Sequence, residues 1–224
     1  MVKSTTLKVA LFGGSFDPPH IGHQEIIKKA LQTLDIDTLI VLPAYLNPFK
    51  DKTVVDAKGR LEMCRDLFGK IDGVVVDDFE IREEIQYTIE SFRHFKKSYN
   101  VSYIIIGADN LERLQQWKDF DQLNAEITWV IAKRGKKEFD VSFLNSYRLL
   151  DTDMDVNSTQ IREHLELQYV DKKIVKKVEE LYKKGKKEEL LDYLTAYTMD
   201  WGEKVVEKAW ELGDMLWTKY DEKF

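Results

Sequence analysis

The chain has 224 residues, 43% hydrophobic and 33% charged, with a formal net charge of -6, which suits a globular protein of one α/β domain or one domain plus a small appendage. The acidic balance argues against a broad basic surface for duplex nucleic acid, though not against a local phosphate site. The single cysteine, Cys64, excludes an internal disulfide, no Cys cluster suggests zinc, and no apolar run is long enough to span a bilayer, so a cytoplasmic protein away from membranes is expected.

In chain order, Leu7 to Phe12 reads as a buried strand. Ile21 to Leu34 carries Ile26, Ile27, Ala30, Leu31 and Leu34 at helical spacing. Thr38 to Leu42 is a second strand, stopped by Pro43. After a polar loop with Pro48, a helix is expected from about Asp56 to Phe68, with Cys64 as a small buried hydrophobe. Gly73 to Val76 is strand-like, Thr88 to Lys97 helical, and Val101 to Ile106 a buried strand that ends at Gly107. A mostly helical stretch follows from Asn110 to Asn124, broken near Trp117. Ile127 to Ala132 and Tyr147 to Leu150 are the last strands, and everything from Ser158 on reads as helix. Strands alternating with helices imply βαβ units, hence a Rossmann-like parallel sheet with helices on both faces. Ligands of such sheets bind beyond the carboxyl ends of the strands. The turns after Phe12, Leu42 and Ile106 therefore share one rim.

The first of these turns is unusual: "GGSFDPPHIGH" places two glycines, two prolines and two histidines between strand and helix. Gly13 and Gly14 allow a tight turn and let a ligand approach the backbone. Pro18 and Pro19 stop the helix from starting early. The helix N-terminus is a ready phosphate site, and His20 and His23, three residues apart, share one of its faces and can donate hydrogen bonds to phosphate oxygens. Far downstream, "NSTQIRE" combines Ser158 and Thr159, good N-cap residues that can grip phosphate, with Arg162, a fork of donors in the first helical turn.

Together these segments resemble the nucleotidyltransferase superfamily, whose core signature is His-x-Gly-His after the first strand. Asp-Pro-Pro before the first His makes the form similar to the bacterial nicotinate-nucleotide adenylyltransferases. "NSTQIRE" resembles their Ser-Ser-Thr-x-Ile-Arg motif, with Asn157 in place of the first serine. "LPAYLNPFK", "YTIES" and "IIGADNLERLQQWKDF" resemble three further family segments, and "KRGKK" stands where the family has Arg-Pro-Gly. The resemblance runs from about Lys8 to Tyr182 in unbroken order.

The resemblance implies an enzyme that transfers AMP from ATP to nicotinate mononucleotide, releasing pyrophosphate. His20, His23, Lys50 and Arg162 would be its catalytic residues. Gly13, Gly14, Ser15, Phe16, Gly107, Asp109, Arg134, Ser158 and Thr159 would bind ATP, with Asp109 near ribose hydroxyls. Tyr87, Thr88 and Trp117 would bind the acceptor, Thr88 at its carboxylate and Trp117 stacked on its ring. Mg²⁺ would be held mainly by ATP phosphates, with no dedicated metal ligands. The alternatives are a sister enzyme acting on nicotinamide mononucleotide or phosphopantetheine, and a non-catalytic nucleotide-binding module.

Residues 1–182 are expected to form the nucleotidyltransferase domain and residues 183–224 a helical C-terminal extension. In the extension, Val206, Trp210, Gly213, Trp217 and Tyr220 recur at steps of four and three, one apolar stripe that must be buried on the core or on another subunit. A homo-oligomer through these C-terminal helices is one consequence.

Overall fold

Strands that read as unbroken apolar runs need cover on both faces. The computed structural model, which describes residues 6–46, 57–134, 139–152 and 158, provides it with a six-stranded parallel sheet between two layers of helices. The strands are β1 (Lys8–Gly14), β2 (Thr38–Pro43), β3 (Val74–Val76), β4 (Asn100–Gly107), β5 (Thr128–Arg134) and β6 (Tyr147–Thr152). Their order is β3-β2-β1-β4-β5-β6. The chain thus winds outward from β1 in one direction, then returns to lay β4 against the other side of β1. The loops leaving β1 and β4 diverge, and a crevice opens between them at the carboxyl ends of the strands.

The α-helices are α1 (Ile21–Thr33), α2 (Ala57–Phe68), α3 (Phe79–Arg82), α4 (Thr88–Phe95) and α5 (Phe120–Glu126), with a 3₁₀ segment at Ala108–Gln116. Side chains alternate across the sheet as a strand requires. Val9, Leu11, Ile104 and Ile106 face the core shared with α3, α4, α5 and the 3₁₀ segment, through Phe79, Ile89, Phe92, Leu114 and Leu123. Ala10, Phe12, Tyr103 and Ile105 face the core shared with α1 and α2, through Ile26, Ile27, Cys64, Leu67 and Phe68. Leu11, Ile104 and Ile105 are almost wholly buried, and each such side chain contributes about 1.5–3 kcal/mol. The loops of the crevice therefore spring from the best-packed strands of the sheet.

Three details differ from the expected elements. β1 runs two residues further, to Gly14. The stretch after β4 is 3₁₀ rather than α up to Gln116, and its buried leucines, Leu111 and Leu114, are spaced three apart. That spacing suits a three-residue turn, in which such side chains eclipse. The short α3 was not expected, because four residues carry too little periodicity to be read. It starts where Asp77 Oδ1 accepts the Phe79 N–H at 2.8 Å. Cys64 is buried on α2 as expected, and burial pushes its thiol pKa up. The proposed boundary at residue 183 and the extension beyond it lie outside the described residues.

Candidate active site

β1 ends in register with β2, Gly13 opposite Leu42 and Gly14 opposite Pro43. The glycine pair is thus extended strand, a correction to the expected tight turn. The turn falls instead on Phe16, whose backbone is left-handed at φ 47. That conformation costs a residue with a Cβ about 1–2 kcal/mol. Burial of the Phe16 ring offsets the cost: it is 2% exposed and meets Phe12 edge-on at 5.3 Å and Phe68 at 5.8 Å. Gly14 makes room for that ring, since a Cβ there would stand 3.0 Å from it. Gly13 has a different task. A Cβ on it would meet no atom within 4 Å, so its bare backbone opens onto the crevice.

Pro18, Pro19 and His20 are buried, and His20 is the N-cap of α1. The imidazoles of His20 and His23 lie together, with centroids 3.7 Å apart. His23 Nδ1 accepts the backbone N–H of His20 at 3.2 Å, and its ring rests edge-on against Phe16 at 4.9 Å. With Nδ1 accepting, a neutral His23 carries its proton on Nε2. The first turn of α1 contains no acidic residue to oppose an anion. Ser158, 140 positions away from Pro18, donates its Oγ to the Pro18 carbonyl at 3.0 Å. Ser158, the described residue of the second motif, is therefore held against the first.

The opposite wall comes from α4 and from the segment after β4. Tyr87 is the N-cap of α4 and Thr88 its first residue, and no side chain caps the helix. The Glu90 N–H bonds to the Tyr87 carbonyl at 2.9 Å, and the two N–H groups before it, of Thr88 and Ile89, are not capped by a side chain. Lys118 Nζ stands 4.5 Å from the centre of the Tyr87 ring and pairs with Glu90 at 3.1 Å. Gly107 must be glycine for the Asp109 carboxylate to stay in place, since a Cβ would stand 2.3 Å from Asp109 Oδ1. Trp117 is half-buried, its ring edge-on to Trp129 at 6.1 Å. One cavity of about 450 Å³ is lined by the Gly13–Phe16 turn, the His pair and Ser158 on one side. Tyr87, Thr88, Gly107, Asp109 and Trp117 line its other side. Lys50, Thr159 and Arg162 lie outside the described residues. The backbone of Arg134 ends β5 at the same end of the sheet.

Two functional candidates were missed by reading the sequence. Arg60 of α2 is wholly buried and donates to the carbonyls of Ser15 (2.6 Å), Ala44 (2.6 Å) and Tyr45 (3.2 Å). It ties the turn after β1 to the loop after β2. A signal was available: Arg60 lies four residues before Cys64 and seven before Leu67, on the apolar face, where an arginine needs partners. Glu80 of α3 is also buried at the cavity wall, and Ser91 Oγ donates to its Oε1 at 2.7 Å. Burial pushes its carboxyl pKa up to about 7, while Ser91 and Arg60 pull it the other way. No periodicity could have singled it out.

A cytidylyltransferase-like family model matches residues 11–164. The "probable nicotinate-nucleotide adenylyltransferase" of Sulfurovum sp. (strain NBC37-1) is 50% identical over 187 residues, 83% of this chain and all of that protein. A protein of the same description from Campylobacter jejuni (strain RM1221) is 41% identical over 184 residues, 81% of this chain and 99% of that one. The chain belongs to the nicotinate-nucleotide adenylyltransferase family. Its fold is also that of the Plasmodium falciparum nicotinic acid mononucleotide adenylyltransferase complexed with NaAD. That match has a TM-score of 0.59 at 20% identity and covers 76% of this chain and 89% of the other. The crevice of this nicotinate-nucleotide adenylyltransferase family member brings two features together. One is an anion-friendly helix start beside paired imidazoles; the other is a second uncapped helix beside a half-buried indole.

Proposed function

We propose that the chain adenylates nicotinate mononucleotide: the acceptor phosphate attacks the α-phosphorus of ATP, and pyrophosphate leaves in line. The new P–O bond joins the acceptor phosphate to the α-phosphorus, and the bond from the α-phosphorus to the bridging oxygen breaks. Negative charge grows on that oxygen and passes to pyrophosphate. No protein nucleophile is needed, so catalysis is alignment and charge stabilisation. His20 and His23 hold the triphosphate, with the His23 Nε2–H as a donor to the developing charge. The bare backbone at Gly13 and Gly14, with Ser15 and Phe16, allows close approach of the nucleotide. Lys50 and Arg162 neutralise the leaving pyrophosphate, and Arg134, Ser158 and Thr159 hold phosphate oxygens. Asp109 accepts from ribose hydroxyls, with Gly107 leaving it room.

Thr88 and the first-turn N–H groups of α4 take the acceptor carboxylate, and Trp117 and Tyr87 flank its ring. Mg²⁺ is the expected counter-ion of ATP. Among the described residues no three His, Cys, Asp or Glu side chains cluster as a metal cage. Such an ion would be held by phosphate oxygens and water, and when bound neutralises phosphate charge. A single buried thiol suits the reducing cytoplasm as the setting.

What supports this reading above all is the Ser158–Pro18 hydrogen bond, which brings Ser158 of the second motif onto the histidine turn at the crevice. Acceptor choice follows from donor chemistry. A helix start offers only N–H donors and a positive dipole end, which suit a carboxylate. A carboxamide would turn its own N–H groups on those donors and leave buried groups unpaired, at about 1–3 kcal/mol each. Pyrophosphate release with each acceptor in turn tests this. The expected result is a preference for nicotinate over nicotinamide mononucleotide of at least about tenfold in kcat/KM. Equal rates would remove the selectivity argument, and activity with phosphopantetheine alone would overturn the assignment.

A further inference from the structure

The mechanism above leaves one buried ionisable group of the cavity wall without a task. Glu80 is 8% exposed and lines the same cavity as Thr88 and Trp117. Both ends of the residue grip the chain that follows. Its main-chain carbonyl accepts the Ile85 N–H at 2.8 Å, and its carboxylate accepts the Ser91 hydroxyl at 2.7 Å. Between those two contacts lies the connection from α3 to α4, which carries Gln86, Tyr87 and Thr88 onto the cavity wall. Within it Glu84 is held left-handed at φ 53, a conformation disfavoured for any residue with a Cβ. A strained connector needs to be held from outside, and the Glu80–Ser91 contact spans it.

We infer that Glu80 and Ser91 form a buried clasp that positions the N-terminus of α4, so that this pair, which need not touch substrate, sets the affinity for the acceptor mononucleotide. The inference rests on the reading of Tyr87 and Thr88 as acceptor-binding. Chemistry as well as geometry supports it. Phe79 beside Glu80 in the chain, and Ile89 and Phe92 near Ser91 in the chain, are apolar and buried, and a hydrophobic residue would fill a buried place without a desolvation cost. A carboxyl pushed up to about 7 by burial is retained there against that cost. The groups that face it are the Ser91 hydroxyl from α4 and the Arg60 guanidinium from α2. A short hydrogen bond supplies what packing does not, a fixed distance and direction between α3 and α4.

Steady-state kinetics with both substrates varied tests the clasp. Ser91→Ala and Glu80→Ala should each raise KM for nicotinate mononucleotide at least about tenfold, with KM for ATP held within about twofold. The double variant should be no worse than either single one, because each removes the same contact. Glu80→Gln still accepts from Ser91 and should restore the parental acceptor KM to within about threefold. Should Glu80→Ala fail to fold, Ser91→Ala, which loses a single hydroxyl, carries the test. The inference is overturned if both KM values rise together, if neither moves, or if the two single effects multiply in the double variant. Trp117→Ala separates the clasp from the reading beneath it. If that variant leaves the acceptor KM unchanged, the acceptor wall itself is misplaced. If it raises the acceptor KM while the Glu80 and Ser91 variants do not, the clasp alone falls.

Discussion

With Nδ1 of His23 occupied by the His20 N–H, the ring needs no proton transfer to act. It offers Nε2–H in its neutral form and keeps the same donor when it gains a second proton. His23→Ala should therefore lower kcat by roughly 10²–10³, the scale of losing one donor to developing charge. Its fold should be retained, because His23 is only half-buried and sits at the rim. Pyrophosphate-release kinetics beside a thermal melt checks both halves, and a near-parental kcat would take His23 out of the chemistry.

At the scale of elements, α2 and α3 each bring one buried charge-bearing residue under the crevice, and Glu80 makes the stability of α3 depend on pH. Burial raises its carboxyl in the folded chain to about 7 from the ordinary 4.5. Between those values the unfolded chain has released the proton and the folded chain has kept it. Stability therefore falls as pH rises from about 4.5 to about 7 and is level above, a total of about 3 kcal/mol. Glu80→Gln should abolish that slope: equal to the parent in denaturant at pH 5, more stable at pH 8. A parent that is as stable at pH 8 as at pH 5 would contradict the assigned burial.

The same two elements show what a sequence can reveal. The sheet was legible because β1, β2, β4 and β5 are buried on both faces and so spell continuous apolar runs. The histidine turn and the α4 start were legible because caps, prolines and glycines act locally. Arg60 and Glu80 act on partners in other elements, Ser15 at a separation of 45 and Ser91 at a separation of 11, and no helical or strand period encodes such pairings. The left-handed strain at Phe16 was equally hidden, since the neighbouring glycines had the better claim to it.

For the whole molecule, the telling measure is length. The Sulfurovum relative is matched end to end within 187 residues, 83% of this chain, and the family model closes at residue 164. The last residues of this chain lie outside that family model, so its crevice should be complete without them. Among the described residues no helix is long and apolar enough to cross a membrane. The stripe of Val206, Trp210, Gly213, Trp217 and Tyr220 in the sequence is expected to pack on a protein surface. Burying side chains of this size contributes about 1.5–3 kcal/mol each, enough to move a melting temperature by several degrees. Deleting residues 200–224 should therefore leave kcat and both KM values within about twofold while lowering Tm, or while reducing the mass in solution from an oligomer to a monomer. The first outcome places the stripe on its own core and the second on another subunit. A truncated enzyme with unchanged Tm and unchanged mass would mean that the stripe is not buried at all.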